Sequence, residues 1–148
     1  MAQAESIKLT AELVEALAGT FLSPMYDNPQ PTPDFHRQGW ALYCSSAELA
    51  AIAAPRGHAK STAFTHDYGL GVLLFRIQSY MVIASATEDL AIGHLSDMAM
   101  ELRDNEDLRR EFQIEKLLVD ARTEIIVLFK DGYQAKVVAK GSGQKMRG

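Results

Sequence analysis

The sequence contains a single cysteine, Cys44, in 148 residues. One thiol excludes an intrachain disulfide and a cysteine-rich zinc site, and it fits a reducing compartment. No apolar run approaches the ~18 residues of a membrane-spanning helix. The first residues, Met1-Ala2-Gln3-Ala4-Glu5-Ser6, lack the basic start and apolar core of a signal peptide, so no secretory leader is expected. Positive charge is not in excess either. A formal net charge of -4 means that any nucleic-acid contact is expected from a local patch, not from the whole surface. Internal repeats and low-complexity tracts are absent. What remains is an ordinary mixture, 47% hydrophobic and 23% charged. At this length a chain buries roughly 70% of its unfolded surface, enough for one domain without staples.

Residues 9–22 place Leu9, Leu13, Val14, Leu17, Phe21 and Leu22 at helical spacing, with Thr10 as N-cap and Glu12 and Glu15 in the early turns. Four of the five prolines follow, Pro24, Pro29, Pro31 and Pro33, and predict an extended arm. Asp34 is then placed to cap a helix carrying Phe35, Trp40 and Tyr43. These aromatics suit either a core or the flank of an adenine base. His36 and Arg37 lie on the same helix, and a lone histidine there reads as surface or packing.

The run Leu49-Ala50-Ala51-Ile52-Ala53-Ala54 is uninterrupted, as in a strand covered on both faces of a parallel sheet. Residues 61–76 predict a helix, its second half weakened by Gly69 and Gly71 at roughly 1 kcal/mol each relative to alanine. Residues 80–86 read as a second buried strand, completing a right-handed β-loop-α-β crossover. Thr87 is placed to cap a helix through about Arg103, whose Leu90, Ile92, Leu95, Met98, Met100 and Leu102 make a broad apolar side. Residues 104–111 are charged, suiting a solvated turn or short helix. Asp131-Gly132 between the β-rich runs 124–129 and 133–139 predicts a hairpin. The close, Lys140-Gly141-Ser142-Gly143-Gln144-Lys145-Met146-Arg147-Gly148, reads as a flexible cationic tail. With Lys136, its Lys140, Lys145 and Arg147 suit either contact with DNA phosphates or plain solvation.

The stretch Ala54-Pro55-Arg56-Gly57-His58-Ala59-Lys60-Ser61-Thr62 carries the chemistry. A strand feeding a tight loop that ends in Lys-Ser and opens a helix is the setting of a phosphate-binding P-loop. The usual glycines are alanines at 54 and 59, the next smallest choice where backbone must approach phosphate. Backbone N–H groups and the helix dipole would receive the anion. Lys60 would reach the β- and γ-phosphates, and the Ser61 hydroxyl would bind Mg²⁺. Arg56 adds a second cation, suited to charge in the transition state or to a carboxylate elsewhere. Pro55, Gly57, His58, Ala59 and Thr62 complete the nucleotide-binding set, with Gly57 free to take a conformation that the alanines cannot and His58 at the loop surface.

Residues 31–62, PTPDFHRQGWALYCSSAELAAIAAPRGHAKST, resemble the N-terminal ATPase region of the large terminase subunit of tailed bacteriophages, as do Ser85-Ala86-Thr87 and residues 139–148. The resemblance is weaker over 1–22 and 104–123. It implies a deviant Walker A loop, with Lys60, Ser61 and Thr62 binding ATP phosphates and Mg²⁺ and Arg56 acting on the γ-phosphate. The implied fold is an α/β, RecA-like P-loop NTPase, present as an incomplete parallel sheet with flanking helices plus a β-hairpin. Residues 1–34 would be an N-terminal helix and Pro-rich arm, and 35–148 the N-terminal portion of the ATPase domain.

The implied activity is the hydrolase motor of viral DNA packaging in the bacterial host cytoplasm. Its implied partners are DNA, the portal protein and the small terminase subunit, around a homo-oligomeric ring. Terminase large subunits are several times longer, and the carboxylates of the Walker B strand and the nuclease domain are not found in these residues. The expectation is therefore a piece that holds ATP and does not hydrolyse it alone. Two alternatives stand beside it, another P-loop ATPase of helicase type and a non-catalytic prophage remnant.

Overall fold

The computed structural model describes residues 8–22, 34–45 and 61–141, with backbone alone at 61–63. The proline-rich arm, the expected strand at 49–54, the loop at 54–60 and the tail beyond Gly141 lie outside these residues. Cα packing divides the chain into two compact units, Met1–Ile77 and Gln78–Gly148.

The first unit is helical among the described residues. Helix α1, Ala11–Leu17, starts where expected, because the Thr10 Oγ1 accepts from the Leu13 N–H at 3.3 Å. Its helical path continues over Ala18–Leu22 in wider turns. Val14, Leu17, Ala18 and Leu22 are buried, as is Leu9 just before the helix. Helix α2 spans Asp34–Tyr43 and buries Trp40 and His36. A third helical stretch runs from Ser61 to Leu74, first wide-wound over Ser61–Asp67 and then regular as α3, Tyr68–Leu74. Here the sequence expectation is corrected. The glycines predict distortion in the second half, but that half is regular and is buried from Gly69 to Leu74. Gly71 sits against α1, a Cβ there being 3.6 Å from Leu9 Cδ1 and Val14 Cγ2. Tertiary packing has overridden the low helix propensity of glycine.

The second unit is a mixed α/β layer pair. Strand β1, Tyr80–Ser85, leads into α4, Glu88–Asp104, and then α5, Glu106–Glu111. Strands β2, Ile114–Asp120, β3, Glu124–Phe129, and β4, Gln134–Gly141, follow in antiparallel succession. The sheet order is β1-β4-β3-β2, with β1 parallel to β4. Tyr80 pairs with Lys136 and Ser85 with Gly141. Strict alternation along β3 and β4 buries Ile125, Val127, Phe129, Ala135, Val137 and Ala139. Helix α4 packs on the sheet and buries Ala91, Leu95, Met98, Ala99 and Leu102.

Local chemistry explains these elements. The Thr87 Oγ1 accepts from the Leu90 N–H at 3.2 Å and fixes the start of α4. Asn105 ends α4 and starts α5 at once, its Oδ1 accepting from the Leu108 N–H at 3.2 Å and its Nδ2 donating to Glu101 Oε2 at 2.8 Å. The β3–β4 turn has Gly132 at φ 93°, and the Asp131 carboxylate accepts from the Tyr133 N–H at 3.2 Å. The Asp-Gly signal is thus realised as a hairpin.

Four expectations for this unit need correction. Among the described residues the sheet is mixed, not an incomplete parallel one, and the hairpin forms its middle instead of an appendage. Strand β1 is not buried on both faces. It lies at the sheet edge with Tyr80 48% and Val82 41% exposed, and only Ile83 is buried. The apolar side of α4 is narrower than expected, since Leu90 and Met100 face solvent. Lys140 and Gly141, expected to open the flexible tail, are instead the last residues of β4, and Lys136 belongs to no tail either. It lies within β4, 2.9 Å from Glu124 Oε1 and over the Tyr80 ring. Strand β2 was not anticipated at all.

Candidate functional site

Of the predicted nucleotide-binding residues, Pro55, Arg56, Gly57, His58, Ala59 and Lys60 lie outside the described residues. Ser61 and Thr62 are described by backbone alone, and both are in the first turn of the helical stretch Ser61–Leu74. Ser61 thus opens a helical stretch, as expected for residues 61–76, wound widely in its first half.

The seat of that helix is aromatic. Phe64 lies edge-on to Phe35, His36 and Tyr43, with ring centroids 5.7, 5.9 and 5.5 Å away. Tyr68 leans on Tyr43 at 5.1 Å, and its hydroxyl donates to the Tyr43 carbonyl at 3.2 Å. Burial pushes the Tyr68 phenol up, helped by Cys44 and Tyr43. Aromatic pairs of this kind add about 0.5–1.5 kcal/mol each beyond their burial. Phe35 and Tyr43 are thereby engaged with the post-loop helix, and His36 packs at 5.9 Å from Trp40. Of the two readings of the α2 aromatics, the described contacts are those of a core.

Across α1 and α2 the Arg37 guanidinium clamps Glu15, with Nη2 to Oε1 at 2.7 Å and Nε to both oxygens at 3.0 Å, and reaches Asp34 at 2.9 Å. The hydrogen bond from Arg37 holds the Glu15 carboxyl below its ordinary range, against the opposing effect of burial. Cys44 goes the other way. Burial raises its thiol pKa, with Glu12 adding to the effect, which disfavours the thiolate.

One pair escaped the sequence reading. His66 Nδ1 lies 3.0 Å from Asp67 Oδ1; the Asp67 side chain is buried and that of His66 largely so, 7% and 12% exposed. A His-Asp dipeptide carries no signal of its own. Only its place at the change of winding between Ser61–Asp67 and α3 distinguishes it.

The second unit offers a groove of about 540 Å³ lined by Arg103, Asp104, Glu106, Arg109, Lys116 and Asp120. Its charges are balanced and largely spoken for. Arg109 donates to the carbonyls of Leu102 at 2.8 Å and Glu115 at 2.9 Å, and Arg103 meets Asp120 at 3.0 Å. Such a groove does not select a polyphosphate. Among the described residues no three His, Cys, Asp or Glu side chains gather as a metal site, and no helix is long and apolar enough to cross a membrane. No protein-family model matches the chain, and no curated protein or solved structure matches it.

Proposed function

We propose that the chain is the ATP-binding part of a P-loop motor of the terminase type, with residues 54–62 as its phosphate-binding loop. The observation that carries this reading is the helix that opens at Ser61, immediately after Ala59-Lys60, within a mixed α/β chain. On this reading the fold is RecA-like. Lys60 neutralises the β- and γ-phosphates, Arg56 meets the γ-phosphate, and backbone N–H groups from Pro55 to Thr62 cradle the rest. On this reading the Ser61 hydroxyl and the phosphate oxygens would supply part of the Mg²⁺ coordination. When bound, the ion would supply charge neutralisation between the phosphates.

The motor would translocate DNA into a procapsid in the bacterial cytoplasm, as a ring seated on the portal protein and supplied with DNA by the small terminase subunit. These 148 residues contain no apolar run closing on the paired Asp and Glu that bind metal and activate water. They are expected to bind Mg-ATP weakly without turning it over. Calorimetry of the chain with Mg-ATP should give binding that Lys60→Ala abolishes. No heat at millimolar Mg-ATP from a folded sample would refute the nucleotide site. Steady turnover lost in Lys60→Ala would refute the claim that these residues do not hydrolyse ATP alone.

A further inference from the structure

The two edges of the sheet are built differently. Strand β2 closes one side with register shifts against β3, the charged residues Glu115, Lys116 and Asp120, and the Arg109 guanidinium donating to the Glu115 carbonyl at 2.9 Å. Bulges and charges of this kind stop a further strand from adding. Strand β1 closes the other side with none of them. Tyr80-Met81-Val82-Ile83-Ala84-Ser85 has no charge and no proline, and its register with β4 is unbroken. The Ser79 carbonyl accepts from the Lys136 N–H at 2.8 Å. Alternation along the strand therefore turns the backbone groups of Met81, Ile83 and Ser85 to β4 and leaves the N–H and C=O groups of Tyr80, Val82 and Ala84 pointing out of the sheet. Among the described residues none pairs with them. The side chains of the same three residues are exposed.

We infer that β1 is the interface of a two-fold dimer, in which the β1 strands of two copies pair antiparallel about Val82. Opposed residues of an antiparallel pair can exchange both N–H···O bonds. Centred on Val82, the pairing opposes Val82 of each copy to Val82 of the other, and Tyr80 of each to Ala84 of the other, so every outward group is bonded. It also sets the largest exposed side chain of the strand against the smallest. Any other centre leaves Tyr80 or Ala84 without a partner within the strand. The surrounding sequence favours this direction too. Arg76 precedes the strand, and Glu88 and Asp89 follow it, so an antiparallel copy brings ends of opposite sign together where a parallel copy would bring like ends. A closed pair consumes both open edges and leaves only the guarded β2 edges outside. A contact of six residues a side is small, which sets the dissociation constant on the order of 10 μM. The pairing does not depend on the nucleotide-binding reading.

The test is sedimentation equilibrium of the full chain from about 1 to 300 μM, a range that spans the dissociation of a weak dimer. The wild type should pass from monomer to dimer and no further. Val82→Lys sets two like charges face to face, and Val82→Pro removes the N–H that each copy donates at the centre. Either should weaken the dimer about tenfold or more. Val82 is exposed and its N–H points out of the sheet, so both variants should keep the far-UV circular dichroism of the wild type. If one does not fold, the other carries the test. Leu118→Lys changes a side chain of matched exposure on β2 and should leave the affinity unchanged. A monomer throughout the range overturns the proposal. So does a dimer that a folded Val82 variant leaves intact, a dimer that Leu118→Lys weakens as much, or a wild type that grows past two copies.

Discussion

Gly141→Ala is the substitution most sharply determined by this structure. Gly141 closes β4 opposite Ser85, where the strand passes the first turn of α4. A Cβ there would lie 2.6 Å from the Glu88 backbone nitrogen, 3.1 Å from the Thr87 carbonyl carbon and 3.2 Å from the Glu88 Cα. All three are backbone atoms, so no side chain can swing aside. Either the end of β4 or the start of α4 must move by most of an ångström. Overpacking of this kind costs ~1–3 kcal/mol. A displaced Thr87 would weaken its cap, a further ~1 kcal/mol. The sum is about 2–4 kcal/mol. With a urea slope near 1.5 kcal/mol/M, the midpoint should fall by roughly 1.3–2.7 M at unchanged slope. Urea unfolding followed by far-UV circular dichroism measures it. Gly93→Ala is the control, because a Cβ there meets nothing within 4 Å on an exposed turn of α4. It should stabilise by about 0.5–1 kcal/mol through helix propensity alone. A Gly141→Ala midpoint within 0.3 M of wild type, about 0.5 kcal/mol at that slope, would refute the close approach.

Two further outcomes follow from the same geometry. Asn105→Ala removes an N-cap and a buried amide bonded on both sides, so it should cost about 1–2 kcal/mol in the same unfolding assay. The Glu15 carboxyl is held below its ordinary 4.5 by Arg37, so it is charged in the folded state at pH values where the unfolded chain is already protonated. Its contribution is complete above about pH 4.5 and is lost as pH falls through the lowered value. Glu15→Gln should flatten that part of the stability profile, and because Arg37 is exposed, added salt should flatten it in the wild type too.

The parts legible in sequence were those fixed by local chemistry. Thr10 and Thr87 announce their helices because a β-region residue with a short hydroxyl satisfies a free N–H wherever it precedes an apolar period. Asp131-Gly132 announces the hairpin because only glycine takes φ 93° without cost. Strand β2 stayed hidden for an equally local reason. Its register with β3 shifts between Ile114 and Lys116 and again between Leu117 and Val119. Each bulge resets the alternation, so Ile-Glu-Lys-Leu-Leu-Val-Asp has no period of two to read. The exposure of Tyr80 and Val82 was illegible because an apolar run looks the same at a sheet edge as in its middle. At the candidate site, residue types in the loop pointed to phosphate chemistry and the helix after Lys60 was foreseen. The wide winding and the His66–Asp67 pair were not, since both depend on how the turn closes instead of on which residues compose it.

The parallel pairing of β1 with β4 bears on the order in which the second unit assembles. Everything from α4 to β3 lies between the two strands in the chain. The β3–β4 hairpin closes a short loop, whereas β1 must wait for β4 and then bridge the longest loop in the sheet. The hairpin and the Thr87-capped helix are thus expected to form before β1 is zipped onto the edge. Until then a six-residue apolar strand, Tyr80–Ser85, is without a partner. On a ribosome that interval lasts until Gly141 has emerged, and it is the period in which the nascent chain is most exposed to pairing with the wrong strand.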